Sequence, residues 1–143
     1  MFHTIMVAYD ESPEAAHALA SAIDLAKPLG AHLKIITVVE PLPAFYNVAA
    51  IVSPTIVDES FEDRRSQLRT LQQSAVRRAT AAGVNADAIL VDGGEVSGIV
   101  LAAQREHADL LVIGLPKHHR LGAFNSTAQH VADHTPCALL EVN

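Results

Sequence analysis

The chain's clearest chemical layout is an apolar run, Asp109-Leu-Leu-Val-Ile, that stops at Gly114 and is followed by the basic stretch Lys117-His118-His119-Arg120 and then by Ser126-Thr127. A glycine where a buried strand gives way to a loop permits close approach of backbone amides to a ligand. A helix opening at Ser126 would add unpaired N–H groups facing an anion. This is the order of parts in a phosphate site. The first apolar run, Ile5 to Tyr9, ends in a similar way, in Asp10 and a helix start at Ser12-Pro13-Glu14. In a parallel sheet two such strand ends meet at one crevice, where folds of this kind take small molecules.

Each of these residues also has a plainer reading. Asp10 could accept hydrogen bonds from a ribose or hold a metal beside phosphates, but a carboxylate after a strand also serves as a turn or cap residue. Ser126 and Thr127 could donate hydroxyls and amides to phosphate, or simply cap the helix they open. The basic stretch could replace missing backbone donors with side-chain charge, or be a solvated loop. Among the eight histidines, His130 and His134 stand four apart on one helix face. The sequence places no further ligand beside them, so no metal site is expected. No nucleophile and base pair stands out, and neither a Gly-x-Ser-x-Gly elbow nor a Walker-type Gly-Lys-Ser is present. The expectation is a protein without dedicated catalysis, at most a slow hydrolase of ATP.

The elements that must carry these residues follow from periodicity. Short runs rich in Val, Ile and Leu alternate with longer segments whose apolar residues recur every three or four positions, which argues βαβ units and a parallel sheet covered on both faces. Strands are expected at Thr4 to Tyr9, His32 to Val39, Ala88 to Asp92, Leu110 to Ile113 and Ala138 to Val142. A first helix runs from Ser12-Pro13-Glu14 to Gly30, a serine cap and a first-turn proline at one end and a glycine stop at the other. A second carries Leu68, Leu71, Ala75, Ala79 and Ala82 on one stripe and stops at Gly83, with Asp58, Glu59, Glu62 and Asp63 at its start and Arg77-Arg78 near its end, as the helix dipole favours. A third spans about Val96 to His107 and a fourth about Ser126 to His134. Glu40 to Thr55, with Pro41, Pro43, Pro54, Phe45 and Tyr46, reads as a long irregular connection, either a lid or a plain connector.

Composition narrows the function. The 143 residues fit one domain, 1–143, and 50% of them are apolar. A net charge of -6 offers no broad attraction for nucleic acid or an anionic membrane. The single cysteine, Cys137, excludes an internal disulfide and reads as a buried, inert thiol. No apolar stretch approaches the roughly 18 residues of a membrane span, and no cleavable signal pattern precedes Asp10, so a cytoplasmic protein without membrane insertion is expected. Ala138 to Val142 would be an exposed apolar edge strand, and pairing with its own copy in a homodimer is the economical cover.

These residues resemble the universal stress protein family over essentially the whole chain. The resemblance is carried by Val7-Ala8-Tyr9-Asp10 with Ser12, Thr37-Val38-Val39, Gly93-Gly94-Glu95, Ala108-Asp109-Leu110-Leu111-Val112-Ile113-Gly114 and Pro136-Cys137-Ala138-Leu139-Leu140, in that order. It implies a doubly wound, Rossmann-like α/β fold of the adenine nucleotide alpha hydrolase-like kind, with five parallel strands in the order 3-2-1-4-5. It also implies a regulatory role with an unknown protein partner, a homodimer through the fifth strands, and a site for ATP or AMP, with Mg if ATP. On this chain that site would comprise Ala8, Tyr9, Asp10, Val38, Gly114, Lys117, Asn125, Ser126 and Thr127. ATP-binding members carry Gly-x-x-Gly, a longer spacer, then Gly-Ser or Gly-Thr. Here Lys117 and Asn125 replace the later glycines, with only seven residues between them, which resembles the branch with a degenerate ATP signature. The alternatives are a purely structural or interaction dimer, with Leu121, Phe124 or Tyr46 filling the crevice, and a weak nucleotide hydrolase.

Overall fold

The computed structural model describes residues 1–41, 50–116 and 127–143. Five strands, β1 (Thr4–Ala8), β2 (His32–Val39), β3 (Ala86–Asp92), β4 (Leu110–Gly114) and β5 (Ala138–Val142), form one sheet in the order β3-β2-β1-β4-β5. Every neighbouring pair is parallel. The order is the one the resemblance implies. Among the described residues the helices α1 (Pro13–Leu29), α2 (Pro54–Ala81), α3 (Glu95–Arg105) and α4 (Thr127–His134) supply the covering layers.

The consecutive apolar residues of β1 explain its central place. Ile5 and Val7 point into a core shared with α1 and α2, whereas Met6 points into a second core shared with α3 and α4. All three are fully buried, as a strand covered on both faces requires. α2 is anchored by a residue its apolar stripe does not reveal. Gln72 is buried and donates from Nε2 to the carbonyl of Ile89 at 2.7 Å and, more weakly, to that of Ile35 at 3.4 Å.

Element boundaries shift by small amounts. β1 ends at Ala8, although the Tyr9 amide still donates to the Ile36 carbonyl at 2.8 Å. β3 begins at Ala86, where it pairs with Leu33. α2 begins at Pro54, a residue suited to a first helical turn, so Pro54 and Thr55 belong to a helix rather than to the irregular connection. Pro43, Phe45 and Tyr46 lie outside the described residues. Cys137 is only partly buried, packed at the margin of the second core, because it precedes the edge strand β5. Among the described residues no helix is long and apolar enough to cross a membrane.

Asp109 ties the starts of β1 and β4 together. Its Oδ2 accepts the amides of His3 at 2.7 Å and Thr4 at 2.8 Å, and these bonds hold its carboxyl below the ordinary aspartate value of 3.8. A carboxyl depressed in the folded chain stabilises it above its unfolded pKa and loses that effect as pH falls through the folded pKa. Asp109→Ala is therefore expected to lower the urea midpoint at neutral pH, and the gap from the parent to narrow as pH falls below 3.8. Paired urea titrations across acid pH check this; a gap constant with pH would show that the carboxylate is not the cause.

Candidate functional site

The chain runs β1, β2, β3 outward to one edge and then returns to place β4 on the other side of β1. The strand order thus reverses between β1 and β4, and a doubly wound sheet opens a crevice at that point. A cleft of about 420 Å³ lies there. Ala8, Tyr9, Asp10, Val38, Gly114 and Thr127 all line it. Lys117, Asn125 and Ser126 lie outside the described residues, as do Leu121 and Phe124, the side chains named as fillers of the crevice.

Three local arrangements shape the cleft. Thr37, a polar residue 2% exposed at the apolar end of β2, donates from Oγ1 to the Tyr9 carbonyl at 2.7 Å. Together with the amide bond from Tyr9 to Ile36, this fixes the end of β1 beside β2. Asp10 then turns the chain: its Oδ1 accepts the Ser12 amide at 2.8 Å, while Ser12 Oγ accepts the Ala15 amide at 3.1 Å and caps α1. Asp10 therefore fills the turn role, while its exposed side chain still borders the cleft. Gly114 has a packing reason the sequence does not display. A Cβ there would sit 2.4 Å from the backbone carbon and oxygen of Glu14 and 2.8 Å from the Ala15 nitrogen. The close approach it permits is to the first turn of α1.

Val38 is fixed from the other side. Gly98 of α3 lies so close that a Cβ would come within 3.1 Å of the Val38 side chain. This small residue seats α3 against the end of β2 and brings the first turn of α3, with Glu95, to the cleft.

The lining is strongly acidic. Asp10, Glu11, Glu14, Glu40 and Glu95 border the cleft, against the single cation Arg64 among its described residues. Arg64 stands 3.9 Å from Glu11 in an exposed pair, a contact of small energetic worth. Glu95 was legible only as part of a glycine-rich motif, and sequence reasoning gave it no chemical role. Its Oε2 accepts from Thr127 Oγ1 at 3.2 Å, joining the starts of α3 and α4. Although the residue as a whole is exposed, desolvation of the carboxyl raises its pKa, the Thr127 bond opposes that, and the charges of Glu40 and Asp10 add to the rise.

Among the described residues no cluster of three or more His, Cys, Asp or Glu side chains is arranged to hold a metal. His130 and His134 are exposed, and the His134 Nδ1 pairs with the His130 carbonyl at 2.8 Å.

A model of the Universal stress protein family matches residues 1–143. The universal stress protein in QAH/OAS sulfhydrylase 3'region of Thermus aquaticus is 31% identical over 144 residues, 99% of each chain. Among solved structures, a protein of that family from Burkholderia pseudomallei superposes with a TM-score of 0.73 at 28% identity, covering 97% of this chain and 94% of its own. A universal stress protein in complex with cAMP superposes with a TM-score of 0.73 at 26% identity, covering 99% and 97%.

Proposed function

Because the chain belongs to the universal stress protein family, we propose that it is a non-catalytic regulator that binds an adenine nucleotide in the cleft between the ends of β1 and β4. The observation that carries this reading is the convergence of Ala8, Tyr9, Asp10, Val38, Gly114 and Thr127 on that one cleft of about 420 Å³, a size suited to a small ligand. The relative of similar fold that holds cAMP supports it. In this reading the adenine lies against the backbone at Val38, Asp10 accepts from the ribose, and the phosphate end points to the start of α4. ATP would enter with Mg²⁺. The proposed setting is the cytoplasm, and the proposed output is a surface offered to a regulatory protein partner. Calorimetry with AMP, cAMP and ATP plus magnesium tests the ligand: saturable binding of at least one below millimolar concentration is expected. Absence of binding by all three would overturn the reading.

We further propose that two copies pair through β5. The Ala138 amide donates to Asp109 and the Val142 carbonyl accepts from Leu115, so the alternate residues Leu139 and Glu141 turn their backbone groups toward the free edge. An uncovered edge of this kind is a template for pairing. Sedimentation is expected to give a dimer at micromolar concentration. Glu141→Pro, which removes an edge donor without touching the bonds to β4, is expected to give a monomer. A monomeric parent chain would sink this proposal.

A further inference from the structure

β3 closes the sheet on the side away from β5, and its bonds to β2 fall on alternate residues. The Asn85 carbonyl accepts from Leu33 and the Gly93 amide donates to Val39. Between them Ala86, Ala88, Leu90 and Asp92 therefore turn their backbone groups to the free edge. A hollow of about 390 Å³ lies between this strand and α3. Val91 packs with the core on the α3 side, and Ile89, two residues before it, faces the same way. The two form an apolar floor, and Leu101 of α3, 49% exposed, lines the hollow together with Arg105.

The charges around the hollow are unevenly matched. Asp92 pairs with Arg65, and Glu106 pairs with Lys34 at 3.1 Å. Arg105 has no ion-pair partner among the described residues. Residues 42–49 and 117–126 contain no Asp or Glu, so they hold no carboxylate for it either.

We propose that the β3 edge and this hollow receive an extended peptide segment of a protein partner, added antiparallel to β3, with alternate apolar side chains toward Ile89 and Val91 and an acidic one toward Arg105. The inference rests on the partner half of the function proposed above and deepens it. Unpaired edge amides and carbonyls are met by another strand, and side-chain pockets beside the edge then select its sequence. α3 returns against the direction of β3, so Arg105 lies near the start of that strand; Lys34 marks the same end by bridging Asp87 and Glu106, each at 3.1 Å. In an antiparallel peptide the acidic residue thus follows the apolar ones. A second copy of β3 is a poorer occupant. Its two carboxylates, Asp87 and Asp92, are already paired with Lys34 and Arg65 and leave nothing for Arg105.

The probe is the end-capped peptide Thr-Val-Thr-Val-Thr-Glu-Thr, titrated into the parent chain and into Arg105→Gln with amide NMR as the readout. Saturable binding below millimolar concentration is expected, with shifts at Ala88, Leu90, Leu101 and Arg105. Lysine in place of the peptide's glutamate is expected to weaken binding about fivefold in the parent and to make little difference in Arg105→Gln. Arg105 is exposed, so its substitution leaves the fold intact. N-methylation of the peptide at Val, Val and Glu, or instead at the threonines, separates strand addition from loose apolar contact: one set is expected to abolish binding and the other to preserve it. Binding by both methylated peptides, or equal binding of the glutamate and lysine peptides to the parent, would overturn the proposal. So would shifts at β3 that appear on raising protein concentration without peptide, which would give the edge to a second copy. A peptide that fails to bind overturns this proposal alone, because the nucleotide reading is tested separately by calorimetry.

Discussion

Gly114→Ala is expected to lower the free energy of unfolding by about 3 kcal/mol, the upper part of the range for overpacking a close-packed interior. The reason is what the new methyl group meets. Its Cβ would lie 2.4 Å from the Glu14 backbone and 2.8 Å from the Ala15 nitrogen, and peptide atoms of a capped helix turn cannot rotate away as a side-chain tip can. Either α1 or the end of β4 must shift, and Ile113, Ala15 and the adjoining rim of the cleft would move with them. Gly30→Ala makes a useful contrast. Gly30 has a left-handed φ of 61°, but a methyl group there would meet nothing within 4 Å, so its cost is conformational only, about 1 kcal/mol. Urea denaturation of both variants checks the ranking. Gly114→Ala no less stable than Gly30→Ala would mean that β4 and α1 are not in the close contact described.

Asp10→Ala is expected to weaken adenosine binding by about ten- to a hundredfold, the worth of a hydrogen bond to a charged acceptor. The substitution also deletes the acceptor for the Ser12 amide, and a looser turn could weaken binding by itself. Asp10→Asn separates the two causes. Its amide oxygen still accepts the Ser12 amide, so the turn is kept while the charge that strengthens a bond from the ribose is lost. If the carboxylate meets the ribose, Asp10→Asn binds adenosine more weakly than the parent does. Binding by Asp10→Asn equal to the parent's would assign Asp10 to the turn alone.

The sheet was legible because apolar runs of the right length alternate with helical stripes, and the five strands lie where those runs are. Its order came from the resemblance, since no run by itself says which strand it will pair with. The first helix was legible at both ends because Ser12, Pro13 and Gly30 each have a local reason to be there. The start of α2 was less so: the prolines of 40–55 suggested an irregular connection, yet Pro54 occupies a first helical turn, where its missing N–H leaves no helical bond unmade. Convergence of Asp10 and Gly114 at one cleft followed once the strands were taken as parallel, whereas Val38 was placed there only by the resemblance. The structural roles of Glu95, Thr37 and Gln72 escaped notice for a shared reason. Their importance comes from partners distant in sequence, Thr127, Tyr9 and the β2 and β3 carbonyls, and periodicity carries no record of such pairings.

The central claim is that the corners after β1 and β4 form one nucleotide site, and amide NMR during titration with adenosine and cAMP tests it most directly. Saturating shifts below millimolar ligand, confined to the neighbourhood of Tyr9, Asp10, Val38, Gly114 and Thr127, are the predicted result. Shifts gathered instead on the far side of the sheet edge, around Leu101 and Arg105, or none at all, would contradict it.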